Sequence, residues 1–148
     1  MNEFVDFPES ITKLSNLEEL YADENELGVI PETIGALKNL KHLRVTDNKL
    51  GSLPKAIGEL TSLEELYAEG MDISDLPAEI NNLTNLKELR LRNNAFESFP
   101  TTVLSIPNLE LLELRSNNIS TLPDEITQLK TLKYLDIGFC GLRDLPKA

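Results

Sequence analysis

Seven of the eight prolines, Pro8, Pro31, Pro54, Pro77, Pro100, Pro123 and Pro146, stand 23 residues apart at every step. Independent turns do not hold one register along a whole chain, so the fold must be a stack of like units. The apolar residues keep the same register. Phe7, Ile30, Leu53, Leu76, Phe99, Leu122 and Leu145 each precede a proline. Ile11, Ile34, Ile57, Ile80, Val103 and Ile126 follow three residues after it, and Leu14, Leu37, Leu60, Leu83, Ile106 and Leu129 three further on. Two all-leucine columns complete the unit, one running from Leu17 to Leu132 and one from Leu20 to Leu135.

The apolar period changes inside each unit. After the proline it is three, as in PETIGALKNL (31–40), which predicts a short helical or 3₁₀ segment with proline in its first turn. It then becomes two, as in Leu89-Arg90-Leu91, the period of a strand with one buried face. A strand, a crossover and a parallel strand thus recur six times. One unit alone cannot bury its leucines, but stacked units share an interior.

The pattern L-x-x-L-x-L-x-x-N-x-L-x-x-L-P-x-x-I-x-x-L-x-x, carried nearly complete by LKELRLRNNAFESFPTTVLSIPN (86–108), resembles the leucine-rich repeat. The closest kind is the 23-residue type of Ras-group and Scribble-like scaffolds and of bacterial repeat proteins. The resemblance runs over about residues 7–146. It implies an α/β solenoid, a curved horseshoe formed as one domain over 1–148. About six short parallel strands would line its concave face and α or 3₁₀ segments its convex face. Asn25, Asn48, Asn94 and Asn117 fall on the family's asparagine position, where a buried amide satisfies turn backbone groups of neighbouring units. Met71 and Cys140 replace it in two units. Cys140 is expected to pack in the core, and Met71, beside Gly70, to mark a local irregularity. Phe4, Val5 and Phe7 are expected to cover the first end of the stack, and Leu142 and Leu145 part of the other.

With the leucines turned inward, the residues between them form the exposed sheet face. From it come the candidate partner-binding residues: Glu19, Tyr21, Asp23, His42, Arg44, Glu65, Tyr67, Glu69, Arg90, Arg92, Leu111, Glu113, Tyr134, Asp136 and Phe139. All three tyrosines lie here, and tyrosine suits interfaces because it joins a large apolar body to a polar tip. The repetition of LEELYA is the competing explanation of Tyr21 and Tyr67. Face positions of the first three units carry eight acids against Lys41 and Arg44, whereas those of the last three carry four acids against five bases. A basic partner would be steered to the first half. Alternation of Glu18, Lys41, Glu64, Lys87, Glu110 and Lys133 down one column predicts lateral ion pairs, but does not absorb the surplus of acid.

The whole chain carries 25 acidic and 14 basic residues, a net charge of −11. Nucleic acid and anionic membranes repel such a chain, so neither is expected as a partner. One cysteine allows no internal disulfide, and a reducing, cytoplasmic setting is expected, or delivery into a host cell if the protein is a bacterial effector. Residues 1–10 carry Glu3, Asp6 and Glu9 and do not read as a signal peptide. With His42 the sole histidine, no nucleophile–base–orienter set, phosphate loop or zinc spacing can be assembled. No cofactor is expected, nor an enzyme. The reading is a non-catalytic protein-interaction module, whether scaffold, effector or toxin-neutralising protein. The alternative is the substrate-recognition part of a larger enzyme, such as a ubiquitin-ligase effector of the repeat type. The chain is expected as a monomer, or weakly self-associating through an end of the solenoid.

Overall fold

The computed structural model describes residues 4–146. Six 3₁₀ segments, η1 to η6, span Glu9–Lys13, Glu32–Ala36, Lys55–Glu59, Ala78–Asn82, Thr101–Ser105 and Asp124–Gln128. They alternate with strands β1 to β6 at Glu19–Tyr21, His42–Arg44, Glu65–Tyr67, Glu88–Arg90, Leu111–Glu113 and Tyr134–Asp136. The strands form one open parallel sheet in chain order, with Leu20, Leu43, Leu66, Leu89, Leu112 and Leu135 in register.

The apolar period of three is the hydrogen-bond period of the crossover. In the second unit the Ile34 N–H donates to Pro31 C=O, Leu37 N–H to Ile34 C=O and Leu40 N–H to Leu37 C=O, each at 3.0 Å. Apolar side chains three apart therefore eclipse on one side of the segment and point at the sheet. Pro8, Pro31, Pro54, Pro77, Pro100 and Pro123 each sit just before a 3₁₀ segment, supplying the first carbonyl acceptor rather than occupying the first turn. Ile34, Leu37, Leu40, Leu43 and their equivalents at Ile57, Leu60, Leu63 and Leu66 are wholly buried. Burying one such side chain stabilises by about 1.5–3 kcal/mol, and only the stack makes that burial possible. Gly58 allows two adjacent crossovers to touch: a Cβ there would collide with the Glu79 backbone carbonyl of η4.

The ends differ from the middle. Phe7 is buried, but Phe4 and Val5 are more than half exposed, so their side chains do not cover the first unit as expected. Their carbonyls do the work instead, accepting from Glu26 N–H (3.0 Å) and Gly28 N–H (3.2 Å). Leu14 is correspondingly exposed, while Leu37 is buried. At the other end Leu142 packs on the core, but Leu145 is 68% exposed and covers nothing.

The asparagines form a buried ladder. Asn48 Nδ2 donates to Val45 O (2.8 Å) and Ala22 O (2.9 Å), and its Oδ1 accepts from Leu27 N–H (3.1 Å). Asn94 and Asn117 repeat the arrangement. Cys140 is buried, and its thiol donates to Leu114 O at 3.1 Å. Where the amide is missing the turn changes. Asp72 and Gly141, which directly follow Met71 and Cys140, adopt left-handed φ of 55° and 76°, a conformation absent at Lys49, Ala95 and Asn118. At Met71 the inter-unit bond also reverses: Gly51 N–H donates forward to Met71 O, whereas elsewhere the later unit donates back, as Lys49 N–H does to Leu27 O. The Met71 thioether has no donor and only a weak acceptor, so the backbone supplies the link.

Candidate functional site

The sheet face away from the 3₁₀ segments gathers the candidate residues into columns, because strands in register place every twenty-third side chain beside its equivalent. The first column is Glu18, Lys41, Glu64, Lys87, Glu110 and Lys133. It pairs in twos, Lys41–Glu18 at 2.8 Å, Lys87–Glu64 at 2.7 Å and Lys133–Glu110 at 2.8 Å, as the alternation predicts. These hydrogen-bonded pairs raise the pKa of Lys41 and Lys87 and lower that of Glu64.

A second column runs Tyr21, Arg44, Tyr67, Arg90, Glu113 and Asp136. Arg44 lies between two tyrosines, 5.5 Å from the Tyr21 ring centroid and 5.7 Å from that of Tyr67, and Arg90 covers the other side of Tyr67 at 4.6 Å. Guanidinium groups over aromatic faces are attracted by the ring quadrupole. The Tyr67 hydroxyl donates to Glu88 at 2.9 Å, and burial together with that bond pushes its pKa up to about 12. Tyr21 donates to Glu19 at 2.8 Å and is likewise raised. Tyr67 is therefore locked into the face, while Tyr21 and Tyr134 stay about half exposed.

Close polar and charged contacts absorb several of the other candidates. Arg44 meets Asp23 at 2.8 Å, His42 Nδ1 meets Glu65 at 3.1 Å, and Arg90 reaches both Glu88 (3.1 Å) and Glu113 (3.3 Å). Glu113 is a correction to its reading as an open contact residue: it is 5% exposed, covered where Arg90 folds onto it. Leu111 and Tyr134 face each other across the β5–β6 pairing. Arg115 approaches Asp136 at 3.9 Å and stacks 4.5 Å over the Phe139 ring. Among the described residues Arg92 makes no ion pair, and its Nε is buried without a partner. Glu69 has its pKa raised by burial, an effect that Arg92 opposes and the Glu113 charge reinforces.

One feature of the face escaped the sequence reading. Glu24, Asp47, Asn93, Ser116 and Phe139 have φ of 53–58° and Gly70 has φ of 63°, so every unit turns left-handed at the residue before the asparagine position. Asp, Asn and Gly are the residues that tolerate this conformation, and their recurrence at 23 residues was the available signal. The Asp47 carboxylate lies against Gly70, in the space a side chain there would need. Among the described residues no helix is long and apolar enough to cross a membrane, and no three His, Cys, Asp or Glu residues are grouped to hold a metal ion.

A stack of parallel strands and 3₁₀ crossovers around a leucine interior, laced by buried asparagines, defines a curved repeat solenoid with an open sheet face. The model of the leucine-rich repeat region matches residues 2–92, and that of the leucine rich repeat matches 84–142. The chain belongs to the leucine-rich repeat family. Among solved structures it is similar to a leucine-rich repeat protein of Leptospira interrogans, with 38% identity and a TM-score of 0.86 over 93% of this chain and 35% of that one. The leucine-rich repeat domain of the type III effector XopL matches at 30% identity and a TM-score of 0.86, covering 95% of this chain and 51% of that one. The plant peptide hormone receptor RGFR1, solved in complex with RGF2, matches at 34% identity and a TM-score of 0.73, over 87% of this chain and 22% of the receptor. The chain thus spans between about a fifth and a half of the length of these proteins. None of the curated proteins compared with it matches. Leucine-rich repeat domains generally mediate protein–protein interaction.

Proposed function

We propose that this chain is a non-catalytic module that takes a protein partner on its concave sheet face, and that the partner presents a basic surface. The observation that carries the reading is the face itself. Its alternating columns neutralise one another in pairs, yet Glu24 and Asp47 in the first units enter no ion pair among the described residues. Uncompensated acid beside the half-exposed Tyr21 supplies steering charge and contact area together. The receptor–hormone complex and the effector domain among its structural relatives support a binding role. Within it, scaffold, effector and toxin-neutralising duties all use the same face, in a cytoplasmic setting or inside a host cell. Recognition of substrate for a larger enzyme is the second reading, in keeping with the leucine-rich repeat domain of a type III effector among its structural relatives.

Site-specific photo-crosslinking tests the face. With a crosslinking amino acid at Tyr21 or Tyr134, lysate proteins should be captured that the same group at Glu59, on the crossover side, does not capture. Raising salt should slow their association. Equal capture from both sides, or none from the sheet face, refutes the proposal.

A further inference from the structure

The row of left-handed residues forms a rim along the sheet. Glu24 N–H donates to Thr46 O, Asp47 N–H to Glu69 O, Gly70 N–H to Arg92 O, Asn93 N–H to Arg115 O and Ser116 N–H to Gly138 O, all at 2.8–3.0 Å. The rim therefore continues the strand ladder, and its members lie about 4.8 Å apart. Its chemistry is graded. Glu24 and Asp47 are exposed acids, Gly70 offers no side chain, Asn93 and Ser116 are short and polar, and Phe139 closes the row. Phe139 is the anomaly. A bulky side chain is disfavoured at positive φ, five polar or small residues hold the equivalent positions, and the ring is 78% exposed even with Arg115 over one face. The exposed ring is unfavourable until something covers it, and the left-handed backbone that presents it adds a cost of its own.

We propose that this rim binds an extended peptide segment of the partner, with a lysine or arginine at Asp47 and Glu24 and a bulky apolar side chain on Phe139. From Asp47 to Phe139 is four strand spacings, about 19 Å, which an extended chain crosses in about six residues. The short Asn93 and Ser116 leave room for its backbone between the two anchors, while the Asp47 carboxylate leans over Gly70. The inference rests on the reading of the chain as a protein-binding module, and adds the segment's conformation, charge and spacing.

Fluorescein-labelled 12-residue peptides in a Gly/Ser/Thr background test it by anisotropy. One set carries two arginines and a tryptophan six residues apart, in either order. Others place them two apart, replace arginine with glutamate, or replace tryptophan with serine. The six-residue spacing should bind at least tenfold more tightly than every control. Phe139→Asn should weaken it at least tenfold, and Phe139→Trp should retain it. Asp47→Asn with Glu24→Gln should weaken it and flatten its salt dependence. Circular dichroism should show Phe139→Asn fully folded, because asparagine suits the left-handed position that Asn93 occupies. Equal binding of all spacings, no binding by any peptide, or indifference to Phe139→Asn overturns the proposal. Crosslinks from Tyr21 and Tyr134 that persist in Phe139→Asn would sink the rim and spare the binding-module reading, whereas their absence from the wild type would sink that reading itself.

Discussion

Replacing Asn48 by alanine tests the asparagine ladder directly. The residue is 6% exposed, and its three shortest hydrogen bonds serve Val45 O, Ala22 O and Leu27 N–H, at 2.8, 2.9 and 3.1 Å. Leaving a buried backbone group unpaired costs about 1–3 kcal/mol. At the lower bound for each, Asn48→Ala loses about 3 kcal/mol, a fall in Tm of roughly 6–12 °C for a chain of this size. The turn after Met71 shows the escape open to the variant, with the following residue left-handed. At Asn48 that residue is Lys49, for which the conformation costs about 1–2 kcal/mol, so even the relaxed variant stays destabilised. Asn48→Asp should be worse than alanine at neutral pH, because a carboxylate faces two carbonyl oxygens, and should recover on acidification as the acid becomes a donor. Asn25→Ala, at the partly buried first rung where, among the described residues, Oδ1 accepts only from Phe4 N–H at 3.4 Å, should cost less. Urea unfolding followed by far-UV circular dichroism measures all three. If Asn48→Ala lies within 1 kcal/mol of wild type, or Asn25→Ala costs as much, then buried amides do not hold the units together.

Gly70→Ala should lose about 1–2 kcal/mol through its left-handed φ of 63°, with a further loss as the Asp47 carboxylate is displaced. Gly70→Asn should recover the backbone share alone, as equilibrium unfolding would show. Gly58→Ala should destabilise by about 1–3 kcal/mol or more by driving η3 from the Glu79 carbonyl of η4, and should give a lower Tm than Gly35→Ala, whose Cβ meets only the movable Glu59 side chain. The raised pKa of Glu69 means the folded chain holds that proton more tightly than the unfolded one, so its contribution to stability falls as pH rises from its ordinary value of 4.5 through the raised one. Glu69→Gln should therefore match wild type below that window and be the more stable above it, and identical pH profiles would refute the assignment. Phe139→Asn should leave Tm unchanged or higher, since relief of about 1–2 kcal/mol of backbone strain offsets the loss of an exposed Arg115 contact of about 0.5–1 kcal/mol.

The interior was legible because leucine columns at a fixed count leave one way to align the strands, and Leu20 to Leu135 do align. The Glu–Lys pairs were legible for the same reason, since column neighbours in sequence become lateral neighbours in the sheet. Burial of Glu113 and immobilisation of Tyr67 were not, though both arise in one column. They depend on which way Arg90 bends among Glu88, Tyr67 and Glu113, a choice set by side-chain packing and not by period. At the first end apolar composition misled. Phe4 and Val5 secure the edge through their carbonyls, and hydrogen bonding by backbone is invisible to a hydrophobicity pattern.

The ion-paired column also makes the junction left by a deletion depend on how many units are removed. Losing residues 32–54 would set Glu18 beside Glu64 and Tyr21 beside Tyr67, with no arginine between the rings. Losing residues 32–77 would instead set Glu18 beside Lys87 and Tyr21 beside Arg90, restoring opposite charge across the new junction. Removal of a single unit here therefore brings like charges together in the first column, whereas removal of two units, 46 residues, keeps the alternation.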